Sequence, residues 1–396
     1  MAPPTLNENQ FTHSGDKTTF YWSAGPSGGP LIILVHGWPA NGETWKPQLL
    51  TLASLGFRVI APDARGYGRS SVPQEASAYA LEHHVSDMSA LLTHLGRDKA
   101  VWIGHDWGAG IVWALAAQYP EKCVGVCCMA VPYHVPELGL EALIAVCNRE
   151  LYPEDQYPLA QWDYQAFQIE QPDTSAAQLG ANVPNTIKLF FRSGSPESYG
   201  KRSDFASTRK SGGWFGGAPA APDSPFETTL FKDDKPAFDR MVAEFERNGF
   251  DGPNHYYHNH KTNKAYMEQA PNGGRLCYPV LFIEARWDSV CDTALSRLSE
   301  PMRELCENLT EVSIESGHWV AWEKHEETNA AIVRWIATKL PTYFPGYWKT
   351  PFPRVFSTVA LALQVKSSRI EAIVNQSQKF ESNHPVSSGM AAYVTD

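Results

Sequence analysis

The sequence has no apolar run long enough to cross a membrane. Its longest strictly aliphatic stretch is Leu31-Ile32-Ile33-Leu34-Val35, far short of the ~20 residues a spanning helix needs. Met1-Ala2-Pro3-Pro4-Thr5 carries neither a charged n-region nor an apolar h-region, so no signal peptide is read there. Ala391 to Asp396 matches no retention or peroxisomal address. Basic residues are outnumbered, 33 Lys and Arg against 43 Asp and Glu, for a net charge of −10. With no basic stripe, this disfavours a nucleic-acid partner. Charged residues make up only 19% and hydrophobic ones 43%, which argues against disorder and for a sizeable core. Heptad, collagen and internal-repeat periods are absent.

Cysteine is sparse and unpatterned. Seven residues (Cys123, Cys127, Cys128, Cys147, Cys277, Cys291 and Cys306) form no C-x-x-C pair, and several stand in apolar runs. This reads as free buried thiols in a reducing, cytoplasmic compartment. Asn308-Leu309-Thr310 and Asn375-Gln376-Ser377 read as chance sequon matches. Aromatics, by contrast, are plentiful at 12% of 396 residues. That is more than a core needs and points to an apolar pocket.

Buried strands and helices alternate over the first third. Strands are predicted at 18–22, 31–35, 57–61, 100–103 and 124–131, with helices at 44–55, 81–95 and 108–118. The pattern implies an α/β fold with a mostly parallel central sheet flanked by helices. Residues 1–133 read as the first part of this core. Residues 134–250 read as an inserted, mainly helical cap with a Gly/Ser/Pro-rich loop near 193–225. Alternation resumes with a strand at 280–283, a helix at 294–305, a strand at 309–314 and a helix at 326–340, so 251–345 reads as the second part of the core. Residues 346–396 form a tail of no assigned role, with a helix predicted from Ser357 to Lys379.

Four clusters follow predicted strands, where parallel sheets place their sites. Gly104-His105-Asp106-Trp107-Gly108 has the G-x-S-x-G frame of a nucleophile elbow with Asp in place of Ser. The following helix N-terminus favours an ionised Asp106. The bland alternative is an Asp that merely caps the helix, and the strand–turn–helix setting argues against it. Gly317-His318-Trp319 lies late in the chain, where a base follows a nucleophile and an acid. Asp288 stands where an acid would orient that histidine, with Asp292 and Glu284 as alternatives and Glu284 at the end of its strand. In His36-Gly37-Trp38-Pro39, His36 reads as a turn residue. The backbone N–H groups of Trp38 and Trp107 could converge as an oxyanion hole. Asp63-Ala64-Arg65-Gly66-Tyr67-Gly68-Arg69-Ser70 has the wrong glycine spacing for a dinucleotide site and reads as a structural turn with an Asp–Arg network.

Taken together, these motifs resemble the α/β-hydrolase-fold epoxide hydrolases, most closely their soluble fungal and animal members. The resemblance covers most of residues 10–340, the inserted cap included. Such enzymes protonate the epoxide oxygen with two cap tyrosines. Trp162-Asp163-Tyr164-Gln165 resembles the first site and implies Tyr164. Phe250-Asp251-Gly252-Pro253, followed by Tyr256-Tyr257-His258-Asn259, resembles the second and implies Tyr257, with Tyr256 its neighbour and rival. Ala130-Val131-Pro132-Tyr133 departs from the family's Asn-containing strand end.

The implied chemistry is hydrolysis of an apolar epoxide by water, without metal or organic cofactor. A carboxylate is already ionised at neutral pH and attacks an epoxide carbon unaided, whereas a serine needs a base. Asp106 would form an alkyl ester, Tyr164 and Tyr257 would protonate the leaving oxygen, and His318 with Asp288 would activate water to cleave the ester. A haloalkane or haloacid dehalogenase shares the Asp nucleophile and the His–acid pair, but Trp38 and the tyrosine pair favour the epoxide. A non-catalytic small-ligand receptor of the same fold is the third reading, and the intact Asp106–Asp288–His318 set argues against it.

Overall fold

The computed structural model describes residues 4–13 and 15–345. The tail read at 346–396, its helix and the Asn375 sequon lie outside the described residues. Eight strands form one sheet: β1 (Asn7–Thr12), β2 (Thr18–Ala24), β3 (Leu31–Val35), β4 (Arg58–Pro62), β5 (Ala100–His105), β6 (Cys123–Met129), β7 (Leu276–Ala285) and β8 (Cys306–Ile314). Their spatial order is β1-β2-β4-β3-β5-β6-β7-β8. The β1–β2 and β2–β4 pairs are antiparallel and all later pairs parallel. Polar Asn7–Thr12 shows no apolar alternation, so β1 is invisible in the pattern and lies exposed at the sheet edge.

Helices α1 (Lys46–Ser54), α2 (Leu81–His94) and α3 (Trp107–Gln118) connect the first strands. The central strands are apolar at every position because both faces are covered. Ile32, Leu34, Val101, Ile103, Leu281 and Ile283 pack with Leu49 and Leu52 of α1. Leu31, Ile33, Val35 and Trp102 pack with Val85, Met88 and Leu91 of α2 and Val112 and Trp113 of α3. Every residue of α3 from Trp107 to Ala117 is buried, as expected of a helix apolar all round.

Between β6 and β7 the chain leaves the sheet for 130–275. This excursion holds α4 (Leu140–Ala145), α5 (Asp163–Glu170), α6 (Pro172–Gly180), α7 (Val183–Phe190), α8 (Lys235–Asn248), α9 (Asp251–Asn254) and α10 (His260–Met267). Pro253 falls within short α9, and the chain rejoins the sheet at β7. Helix α10 packs on α2 and α3, and Asn263 accepts from the Leu81 N–H. Helix α8 is tied to the core by Lys46–Asp234, Glu43–Arg240 and Asn41–Glu244.

The predicted helix 294–305 shortens to α11 (Glu300–Leu305), because Asp292 caps the Leu295 N–H in a turn instead. The closing helix predicted at 326–340 is α13 (His325–Lys339), and Lys324 (φ −122°, ψ 47°) separates it from the short α12 (Val320–Glu323) before it. The Asp–Arg network near Arg65 also has a different acid: Arg65 forks onto Asp87 of α2 at 2.7 and 2.8 Å. Asp63 instead accepts the Gly42 and Arg69 N–H groups. No described helix is long and apolar enough to cross a membrane. All seven cysteines are unpaired, six of them buried and Cys277 exposed.

Candidate active site

The turn from β5 into α3 is sharp because the backbone of Asp106 takes φ 54° and ψ −126°, a conformation non-glycine residues adopt only when their surroundings impose it. A Cβ on Gly108 would overlap the Val35 and His36 carbonyls, so only glycine lets α3 start against β3. Asp106 thus stands at the carboxyl end of the sheet. The Trp38 N–H donates to its Oδ1 at 2.6 Å. His318 Nε2 lies 3.6 Å from its Oδ2.

His318 joins the carboxylate to a second acid. Its Nδ1 is 2.7 Å from Oδ2 of Asp288. Asp288 follows β7, is 4% exposed, and accepts the Val290 and Cys291 N–H groups on Oδ1. Burial pushes the Asp288 carboxyl up, but the His318 charge and hydrogen bond and those two N–H groups outweigh it and hold it below its ordinary range. Burial also acts against a charged His318, yet the two flanking carboxylates raise its pKa to about 10. The two neighbouring carboxylates thus favour the charged imidazolium form of His318. Glu284 stays in β7 and Asp292 caps its own turn, so neither meets His318. His36 is a turn residue: its Nε2 accepts from the Ala64 N–H, and burial pushes its pKa down to about 4.

The excursion between β6 and β7 brings two tyrosines to the cavities at this group. Tyr164 begins α5 and Tyr257 lies in the short helical segment His255–Asn259. Their rings meet edge to face at 5.6 Å. Burial raises both phenols above their ordinary range, so both hold their protons at neutral pH. Tyr256 points elsewhere, donating to the Arg65 carbonyl at 2.8 Å. Two cavities meet at Asp106, Tyr164 and Tyr257. One is walled by Trp38, Phe190, Phe205, Trp214 and Trp319 and reaches His318. The other, smaller one runs past Trp107, Val131, Trp162, Gln165 and His260.

A match to the alpha/beta hydrolase fold covers residues 30–175. An epoxide hydrolase from Caballeronia sordidicola is 31% identical over 314 residues, covering 78% of this chain and 88% of that protein. The chain belongs to the epoxide hydrolase family. The crystal structure of epoxide hydrolase A from Mycobacterium thermoresistibile superposes with a TM-score of 0.68 at 28% identity, over 84% of this chain and 99% of that one. The pig bifunctional epoxide hydrolase 2 is 31% identical over 314 residues and 78% of this chain. The chain aligns with only 52% of that longer relative, about half its length.

Within this member of the epoxide hydrolase family, two residues of the site carried no sequence signal of their role. His105 sits inside the elbow, 2.6 Å through Nε2 from the His318 carbonyl. Burial, then the His318 charge, push its pKa down to about 4, so it is neutral and donates to that carbonyl. Glu323 of α12 accepts the N–H groups of Gly194, in the excursion after β6, and Gly317, beside His318. The Trp319 indole donates to the Phe190 carbonyl at 2.6 Å, so the His318 loop is fastened to the end of α7. Just past β6, Ala130 adopts φ 64° and the Val131 carbonyl accepts from the Trp113 indole.

Gly37 gives a first test of this packing. A Cβ there would overlap Oδ1 and Cβ of Asp106. Gly37→Ala is expected to keep the native circular dichroism spectrum and lower kcat/KM about 100-fold, because small misplacements of reacting groups cost that much. Unchanged kcat/KM would show that the carboxylate position is not critical.

Proposed function

We propose that the protein hydrolyses an apolar epoxide to a vicinal diol through an ester on Asp106. The observation that carries this reading is the meeting of the Asp106 carboxylate with two phenols in one aromatic cavity that also reaches His318, itself paired with Asp288. Oδ1 stays on the Trp38 N–H and becomes the ester carbonyl oxygen. Oδ2 attacks a ring carbon, the C–O bond of the oxirane breaks, and Tyr164 or Tyr257 donates its proton to the departing oxygen. General-acid help of this kind is worth roughly 10²–10⁴-fold.

The step leaves a phenolate and an imidazolium. Because both phenols are weaker acids than His318, one net proton passes from His318 to the phenolate. The phenol is restored and the imidazole becomes neutral. Neutral His318, held by Asp288, then takes a proton from water, and the hydroxide attacks Cγ of the ester. The oxyanion on Oδ1 is held by the Trp38 and Trp107 N–H groups, where losing one donor costs about 3 kcal/mol. The Cγ–Oδ2 bond breaks, protonated His318 returns its proton to the departing oxygen, and the diol leaves. The proton that the hydroxide brought to the new carboxyl group passes to His318, which restores the starting state. Free thiols suit a reducing cytoplasm, which is the compartment proposed.

The test is turnover of a panel of aryl and alkyl epoxides beside matched haloalkanes. Diol formation from epoxides supports the reading. Halide release without epoxide turnover would make the protein a dehalogenase, and binding without either reaction would make it a receptor.

Two further outcomes are expected. Tyr164→Phe with Tyr257→Phe should lower the alkylation rate at least ~100-fold, with each single variant milder because the other phenol remains. Equal alkylation rates in the double variant and the parent would remove the tyrosines from the mechanism. The second outcome concerns pH. Esterification removes the charge of Asp106, so the His318 pKa falls from about 10, and the neutral fraction that cleaves the ester grows with pH. Acid-quenched turnovers followed by intact mass should show more ester at pH ~5.5 than at pH ~8. An ester fraction that rises with pH would contradict the assignment of the base.

A further inference from the structure

The second cavity has an uncharged polar wall that the mechanism does not use. Gln165 is 5% exposed and lines it. Its Oε1 is buried with no hydrogen-bond partner among the described residues, and its Nε2 makes only a long 3.4 Å contact to the Tyr164 hydroxyl. His260, at the start of α10, lines the same cavity, and both its ring nitrogens are buried without a partner among the described residues. Apart from these two side chains and the reacting groups, the wall is apolar, with Val131, Pro136, Leu143 and Trp162. Buried polar atoms of this kind are normally paired, and both side chains that carry them line this cavity.

On the epoxide hydrolase reading, on which this inference rests, we propose that Gln165 and His260 form a hydrogen-bonding subsite for a neutral hydroxyl on one arm of the epoxide. The other arm, apolar and preferably aromatic, lies against Trp38, Phe190, Phe205, Trp214 and Trp319. The chemical class follows from the donors and acceptors. Gln165 Oε1 can only accept, so the ligand must bring a donor. Burial, with a smaller contribution from His258, pushes the His260 pKa down to about 4. The imidazole is therefore neutral and offers one donor and one acceptor. Among the described residues no Lys or Arg lines this cavity, and the carboxyl group of Asp106 is already there, so a carboxylate arm is disfavoured. A hydroxyl, which donates and accepts at once, fits both residues.

The experiment compares aryl epoxides whose alkyl arm ends in a hydroxyl with partners ending in a methyl. The hydroxyl is moved one carbon at a time along the arm. For at least one length, kcat/KM is expected to favour the hydroxyl by roughly ten-fold or more, since a substrate lacking it leaves buried polar atoms unpaired. In His260→Phe and in Gln165→Leu that ratio should fall towards one. A purely structural role would lower both substrates together and leave the ratio unmoved. If one variant fails to fold, the other and the parental ratio carry the test. A parental ratio near one at every length, or a ratio unaltered in both variants, overturns the subsite while leaving the epoxide hydrolase reading intact. Turnover of neither substrate series overturns that reading and the subsite with it.

Discussion

Asp106→Asn should lower epoxide turnover by about 10⁴-fold or more, the scale seen when a covalent nucleophile is removed. The expected loss lies in the first step. An amide has no ionised oxygen to attack carbon, so no covalent adduct should form by mass spectrometry. The substitution isolates chemistry from folding for two reasons. Asn tolerates the positive φ of 54° that this position requires. Its side-chain oxygen can still accept the Trp38 N–H that now holds Oδ1. Binding of epoxide without adduct or diol is the expected result. Near-parental diol formation would mean that water attacks the epoxide directly and that Asp106 is a structural cap.

His318→Gln should lower steady-state turnover by roughly 10³–10⁴-fold, the range for losing a general base together with its orientation. Unlike the Asp106 variant, it should retain the first step. One equivalent of epoxide should be consumed, and the protein should gain the mass of one substrate on the peptide containing Asp106. Asp106 keeps its Trp38 hydrogen bond in this variant, while Asp288 loses the partner on Oδ2 but keeps the Val290 and Cys291 N–H groups on Oδ1. Some loss of thermal stability is expected, because a buried carboxylate then lacks its counter-charge. A variant that accumulates no ester yet turns over slowly would separate His318 from ester cleavage.

The frame of this site was legible in the sequence because strand ends in a parallel sheet are marked by where apolar runs stop. Leu31–Val35 runs directly into His36-Gly37-Trp38, and the predicted strand at 100–103 runs into the elbow. Such runs are buried on both faces and leave little ambiguity. Polar β1 had no such mark. Residues 294–305 have helical spacing throughout, but a capping turn at Asp292 competes with it and the helix starts only at Glu300. The choice of Asp288 over Asp292 and Glu284, and the separation of Tyr257 from Tyr256, rest on side-chain direction, which one residue of register reverses and composition does not encode. His105 and Glu323 act through backbone groups of distant segments, contacts that leave no periodic trace. The aromatic excess was visible as a number. Its division between core residues such as Trp113 and cavity walls such as Trp214 came only with the packing.

The central claim is that oxygen reaches the diol by way of Asp106. A single turnover with enzyme in excess, run on an aryl epoxide in ¹⁸O-water, tests it most directly. The expected result is an unlabelled diol, with one ¹⁸O recovered in the Asp106 carboxylate by peptide mass spectrometry. A diol that carries ¹⁸O after that first turnover, with Asp106 unlabelled, would contradict the ester route.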